Sequence, residues 1–291
     1  MNKQASADGP IIEIQHLRKR FGSKLVLDDV NLSVDRGDIL CIIGESGIGK
    51  SVILKHIIGL IIPDGGRILL DGEEISSPLK KSSDFLKPRK RLGMLFQGAA
   101  LFDSMTVGEN IAFPLREHTA LSENEISEVV RNGLQMVGLE NIEHQVSAEL
   151  SGGMRSRVGL ARAIAMKPEV MLYDEPTSAL DPINSDKIDD LILDLRAKLG
   201  MTSIVVTHDI PSAYKIADRI AMIREGKIIF EGTPGEIRAS RNPYVQRFIG
   251  GQRKHYYAVQ DEKAYEGQVD LSRLRHKAHG PRSAPPWKPP R

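Results

Sequence analysis

Hydrophobic and polar residues alternate with a period of two over residues 11–17 and 26–34, on either side of a Gly22-Ser23 turn, as two half-buried antiparallel strands require. Residues 38–43 change character. They form a continuous apolar run closed by Gly44, which predicts a strand buried on both faces, and a helical pattern follows from Gly49. Residues 67–72 add a short strand and turn, 76–90 a basic surface loop, and 92–96 a further strand. From about 105 to 165 the strand signals thin out. Ser122 and Glu125 form a capping box, and Ile126, Val129, Val130, Leu134 and Val137 fall on one helical face, so a helical insertion is predicted there. Strand and helix then alternate again: a strand at 169–173, a helix opened by Pro182 whose Ile188, Leu191, Ile192, Leu195 and Leu199 share a face, and a strand at 203–207. Glu225-Gly226 marks a hairpin between 220–223 and 227–230, and an amphipathic helix at 243–249 precedes Gly250-Gly251. No internal repeat interrupts this order, which predicts an α/β fold.

Composition changes the picture in three places. The 291 residues are 41% hydrophobic and carry 40 basic against 38 acidic side chains, so a sizeable core is available and nothing global demands nucleic acid or an anionic membrane. The net charge of +2 is uneven, however. Residues 251–291 hold nine basic and four acidic groups, a net of +5, which leaves −3 on the first 250. That segment ends in a Pro-rich run favouring extended conformation; it is expected to extend across a partner chain or along anionic headgroups, or to be a solvated tail. The lone Cys41 cannot form an internal disulfide, lies within an apolar run, and reads as core in a reducing compartment. Residues 1–10 are polar, which predicts no secretory leader, and the longest apolar stretch, 52–62, contains Lys55 and His56 and is too short to span a membrane.

Three segments carry chemistry. Gly44-Glu45-Ser46-Gly47-Ile48-Gly49-Lys50-Ser51 matches G-x-x-x-x-G-K-[ST] between a buried strand and a helix, the context that gives this spacing its meaning. Its amides can curl around phosphate oxygens at a helix N-terminus, with Lys50 directed to β- and γ-phosphates and the Ser51 hydroxyl to Mg²⁺; Val52 follows in the first turn. Residues 170–175 form an apolar strand ending in Asp174 and Glu175: the first fits a magnesium-holding acid, the second a general base that polarises water. Ser151-Gly152-Gly153 opens another helix and offers a second anion site about 100 residues from the first.

Together with Leu150 and Met154, these segments resemble the nucleotide-binding subunits of ABC transporters, over residues 11–250. The resemblance implies a P-loop NTPase core of RecA-like type, with an antiparallel β layer and an α-helical subdomain at about 105–165. It further implies that Gln97 senses Mg²⁺ and the membrane partner, that residues 178–181 form the D-loop, that His208 contacts the γ-phosphate, and that Phe21 stacks on adenine. Residues 44–58, 95–102 and 110–119, with Met rather than Gln closing the signature, look like the ATPase of Mla/MCE-type lipid transport systems. ATP and Mg²⁺ would then be the ligands, and Ser151 would complete the site of a second copy in a homodimer. An MlaE-like permease and an MCE-domain lipid-binding protein would be partners, at the cytoplasmic face of the inner membrane, with phospholipid as cargo. The surface near 97–117 would dock the permease. Another transported substrate is an alternative; a non-transport ABC ATPase is a further one, disfavoured by the single cassette and the lack of a heptad arm.

Overall fold

The computed structural model describes residues 9–79 and 86–250. The polar leader up to residue 8, part of the basic loop (80–85) and the segment 251–291, with every expectation placed on them, lie outside the described residues.

The alternating strands pair as β1 (Ile12–Phe21) and β2 (Lys24–Val34), with β4 (Gly65–Leu70) and β5 (Glu73–Ser76) completing an antiparallel sheet in the order β2-β1-β4-β5. A second sheet runs β10-β9-β3-β8-β7-β6, built from β3 (Ile39–Ile43), β6 (Leu92–Leu95), β7 (Val170–Asp174), β8 (Thr202–Thr207), β9 (Arg219–Arg224) and β10 (Lys227–Gly232). All its pairings are parallel except the β9–β10 hairpin. Its central strands divide their side chains by the two-residue period. Ile39, Cys41, Ile43, Met171, Tyr173 and Val205 enter one core, while Leu40, Ile42, Val170, Leu172, Ile204 and Val206 enter the other, against the antiparallel sheet. Cys41 is fully buried, and burial pushes its thiol well above the usual range, as packing rather than thiol chemistry demands.

Helix α1 (Lys50–Ile57) follows β3, and a short helix α2 (Leu86–Arg89) precedes β6. Between β6 and β7 the chain forms α3 (Val107–His118), α4 (Glu123–Met136) and α5 (Gly152–Ile164). The Ser122/Glu125 capping box forms as the spacing requires, and Ile126, Val130, Leu134 and Val137 are buried with Val129 at the margin. Helix α5 starts at Gly152, with Ser151 as its N-cap and both glycines in its first turn. In α6 (Pro182–Leu199) four of the five expected face residues are buried, while Leu199 is 39% exposed beside the left-handed Gly200 that ends the helix. Helices α7 (Ile210–Ile216), α8 (Pro234–Ala239) and a last one over 243–250 complete the described residues, none of whose helices is long and apolar enough to cross a membrane.

This order determines where chemistry can sit. Strands β6, β7, β8 and β3 are adjacent and parallel, so the loops leaving their carboxyl ends open on one edge. Those strand ends and the segments leaving them carry Gln97, Asp174 and Glu175, His208, and the glycine-rich segment 44–51.

Candidate functional site

The glycine-rich loop needs its glycines for two separate reasons. Gly44 has φ +152°, and a Cβ there would lie 2.5 Å from Ile48 Cδ1 and 2.7 Å from the Ile223 carbonyl oxygen. Gly49 has φ +110°, and its Cβ would lie 2.7 Å from Val26 Cγ1. Gly49 is also the N-cap of α1; it offers no capping side chain, and no acidic residue occupies the first turn. The positive end of this helix and its leading amides are therefore arranged for an anion. Ser46 and Gly47 are exposed on the loop.

Lys50 turns back into the loop. Its Nζ donates to the carbonyl oxygens of Gly44 (2.8 Å) and Glu45 (3.0 Å) and lies 3.4 Å from Glu175 Oε1. Next along the helix, Ser51 Oγ donates to Asp174 Oδ1 at 2.6 Å. Burial holds the Asp174 carboxyl above its ordinary value, while the Ser51 bond pulls it back. Glu175 Oε2 in turn accepts from His208, at 2.7 Å from Nδ1 and 3.3 Å from the backbone N–H. Glu175 has φ +50°, a left-handed conformation that costs a non-glycine residue ~1–2 kcal/mol. Its backbone N–H is held by the Val206 carbonyl at 2.8 Å, so strand β8 fixes the kink that turns the carboxylate toward Lys50 and His208.

Gln97 is exposed at the end of β6, and its Nε2 lies 3.5 Å from Ser178 Oγ. The expected D-loop and Q-loop residues thus face one another. Phe21 is 47% exposed, with the Lys19 ammonium 5.6 Å from its ring centre, which leaves a ring face open to a planar ligand. Asp181 caps α6 through the amides of Ile183 and Asn184.

Three expected residues stand apart from this constellation. Ser151 caps its own helix by accepting from the Met154 amide, and Gly152 and Gly153 lie near Leu180 and Asn184 at the start of α6. Among the described residues no hydrogen bond joins them to 44–52. Within the loop, the Glu45 and Ile48 side chains are engaged elsewhere: the Tyr244 hydroxyl donates to Glu45 Oε1 at 2.8 Å, and Ile48 packs on the core, which leaves their backbone amides as the groups they could offer a ligand. Val52 packs likewise.

Tyr244 was not signalled by the sequence pattern. Its ring is stacked by the Arg224 guanidinium, 4.0 Å from the ring centre, and it walls a cavity of about 280 Å³ with Val26, Glu45, Gly47, Ile48 and Arg224. The contact joins positions 199 residues apart, beyond any local motif.

Among the described residues no cluster of three His, Cys, Asp or Glu side chains could hold a metal by itself. The Ser51 hydroxyl and Asp174 carboxylate form instead a partial oxygen set, which fits a hard cation completed by phosphate oxygens and water.

A family model described as ABC transporter matches residues 27–178. The probable ribonucleotide transport ATP-binding protein mkl of Mycobacterium leprae (strain TN) is 38% identical over 271 residues, 93% of this chain and 78% of that protein. The intermembrane phospholipid transport system ATP-binding protein MlaF of Haemophilus influenzae is 42% identical over 242 residues, 83% of this chain and 91% of that protein. Among solved structures, the dimeric ATP-binding cassette MJ0796, in a post-hydrolysis state bound to ADP and Pi, matches with a TM-score of 0.70 and 32% identity over 77% of this chain and 98% of its own.

Proposed function

The chain belongs to the ABC transporter family as an ATP-hydrolysing cassette, and we propose that it is the motor that drives phospholipid transport through an MlaE-like permease. The observation that carries the chemical part is the contact chain Ser51–Asp174 and Lys50–Glu175–His208 on one edge of the parallel sheet. In this reading the amides of 46–52 and the Lys50 ammonium hold the β- and γ-phosphates, and Phe21 stacks on the base. Lys50 exchanges two loop carbonyls for phosphate oxygens, which frees Glu175 Oε1 from its cation. Ser51 and Asp174 would hold Mg²⁺, which when bound supplies charge neutralisation and orientation at the phosphates. Glu175 then takes a proton from water as the water oxygen bonds to the γ-phosphorus and the bond to the ADP oxygen breaks. His208, tied to Glu175 through its ring and its backbone, keeps the base aimed and faces the γ-phosphate; Gln97 completes the water side.

Cassettes of this family form dimers, as MJ0796 does, and the Ser151 hydroxyl, which among the described residues bonds only within its own helix, supports a role at the site of a second copy. The permease would dock near 97–117, where Phe102 and Phe113 are 45% and 39% exposed with ring centres 5.2 Å apart. Such a subunit is peripheral, at the cytoplasmic face of the inner membrane, with an MCE-domain protein as a further partner. Phospholipid as cargo is supported by the likeness to MlaF, while the name of mkl offers ribonucleotide as the rival. Co-purifying the chain with its membrane partners and reconstituting them in vesicles with labelled phospholipid tests this. ATP-dependent lipid movement is expected; ATP-dependent ribonucleotide uptake without it would overturn the lipid reading.

A further inference from the structure

The segment that follows Gln97 is the least comfortable stretch of backbone near the site. Gly98, Ala99 and Ala100 have φ of +70°, +66° and +45°, three successive residues in the left-handed region. Glycine adopts it freely; two alanines hold it only where their surroundings leave no alternative. Those surroundings come from α5, the helix that Ser151 starts. Arg162 donates from Nη2 to the Ala99 carbonyl oxygen at 2.7 Å and from Nη1 to that of Ala100 at 2.8 Å. Arg162 makes no ion pair among the described residues, and burial alone pulls its guanidinium below the usual arginine value. A charged fork is thus devoted to two backbone oxygens, a geometry that the point charge of lysine cannot reproduce. One turn earlier on the same helix, Gly159 permits close approach: a Cβ there would lie 2.9 Å from Ala99 Cβ and 3.0 Å from Leu95 Cδ1. The Ala99 amide also donates to the Phe96 carbonyl at 2.9 Å, so Gln97 sits inside a closed turn that α5 grips at two points.

We propose that Arg162 is a positioning residue for Gln97, fixing the turn behind it to the helix whose other end carries Ser151. The inference rests on the proposed role of Gln97. Arg162 lies eleven residues along α5 from Ser151, roughly 16 Å at 1.5 Å per residue. A rigid helix of that length makes a displacement at Gln97 a displacement at the signature, so the water side of one site and the anion contact offered to the next copy move together.

The test uses the full-length chain and measures kcat and KM for MgATP, with hydrogen exchange of the 98–101 amides. Arg162→Lys is expected to lower kcat about tenfold, as misplacement of a water-side group does, with KM within about twofold and faster exchange at 98–101. The pair Ala99→Gly with Ala100→Gly removes the strain that Arg162 restrains; alone it is expected to leave kcat within about twofold, and combined with Arg162→Lys to recover about half of the loss on a logarithmic scale. A merely structural arginine would show no such recovery. Wild-type kcat and exchange in Arg162→Lys, or no recovery with the glycine pair, overturns the proposal. Gln97→Ala separates the two layers. Unchanged kcat there would remove the role of Gln97 itself, whereas a loss there with none in Arg162→Lys would remove only the tie.

Discussion

Replacing Lys50 with alanine perturbs the site where most contacts converge. The ammonium is 5% exposed and serves the carbonyls of Gly44 and Glu45 at 2.8 and 3.0 Å and Glu175 Oε1 at 3.4 Å. In the proposed nucleotide complex it would exchange the two loop carbonyls for phosphate oxygens, so affinity would reflect a net gain of about one charge-assisted hydrogen bond rather than three. Such a bond contributes ~1.5–3 kcal/mol, and each 1.4 kcal/mol is tenfold in a dissociation constant, so Kd for ATP should rise roughly 10- to 150-fold. The same substitution removes a cation from the Glu175 carboxylate, which retains His208, and a lower Tm is expected. The assay is therefore titration with a fluorescent ATP analogue at a temperature where circular dichroism shows the variant folded. A folded Lys50→Ala chain that binds the analogue within twofold of the original would refute the phosphate-cradle argument.

Other outcomes follow from the same geometry. Gly49→Ala places a Cβ 2.7 Å from Val26 Cγ1 at φ +110°, so loss of nucleotide binding together with a lower Tm is expected in calorimetry. Asp189, buried between α6 and α7 and accepting from Ser212 Oγ at 2.5 Å, has its carboxyl pushed up to about 6 by burial. A raised acid favours the protonated folded form, so its contribution is full below its unfolded value and is lost as pH rises through about 6, by up to ~3 kcal/mol. Asp189→Asn should accordingly raise Tm more at pH 8 than at pH 5; an equal shift at both would contradict that sign. Phe113→Ser should reduce co-purification with the membrane partner while leaving the ATPase rate of the isolated chain unchanged.

Much of this was legible in the chain because the relevant signals are local. The uniform apolar run of β3 specified a strand with two cores, and Ile39, Cys41 and Ile43 indeed part company with Leu40 and Ile42. The glycine spacing at 44–51 marked a loop between strand and helix, and the structure adds that a Cβ at Gly44 or Gly49 would meet neighbouring atoms within 2.7 Å. Elements with weak periodicity escaped. Strand β5 is Glu-Glu-Ile-Ser, with one apolar position to mark it, and α7 spans seven residues, although Asp209 as cap and Pro211 behind it were available signals. The long-range contacts had no local signature at all. Tyr244 reaches Glu45, and Arg162 reaches Ala99 and Ala100, only because the sheet order and the helical insertion bring distant segments together. Motifs pointed to the groups expected to bear chemistry; the packing around them decides which side chains, such as those of Glu45 and Ile48, are engaged elsewhere.

The central claim is that Glu175 is the base of an ATP-driven cycle closed by two copies of the chain. Its most direct test is Glu175→Gln, which keeps the shape and the hydrogen-bonding capacity toward His208 but removes the proton acceptor. With MgATP present, this variant should bind nucleotide, lose hydrolysis by at least 10²-fold as general-base removal does, and elute as a dimer in size-exclusion chromatography. Turnover at the original rate, or a chain that stays monomeric while saturated with ATP, would contradict the account.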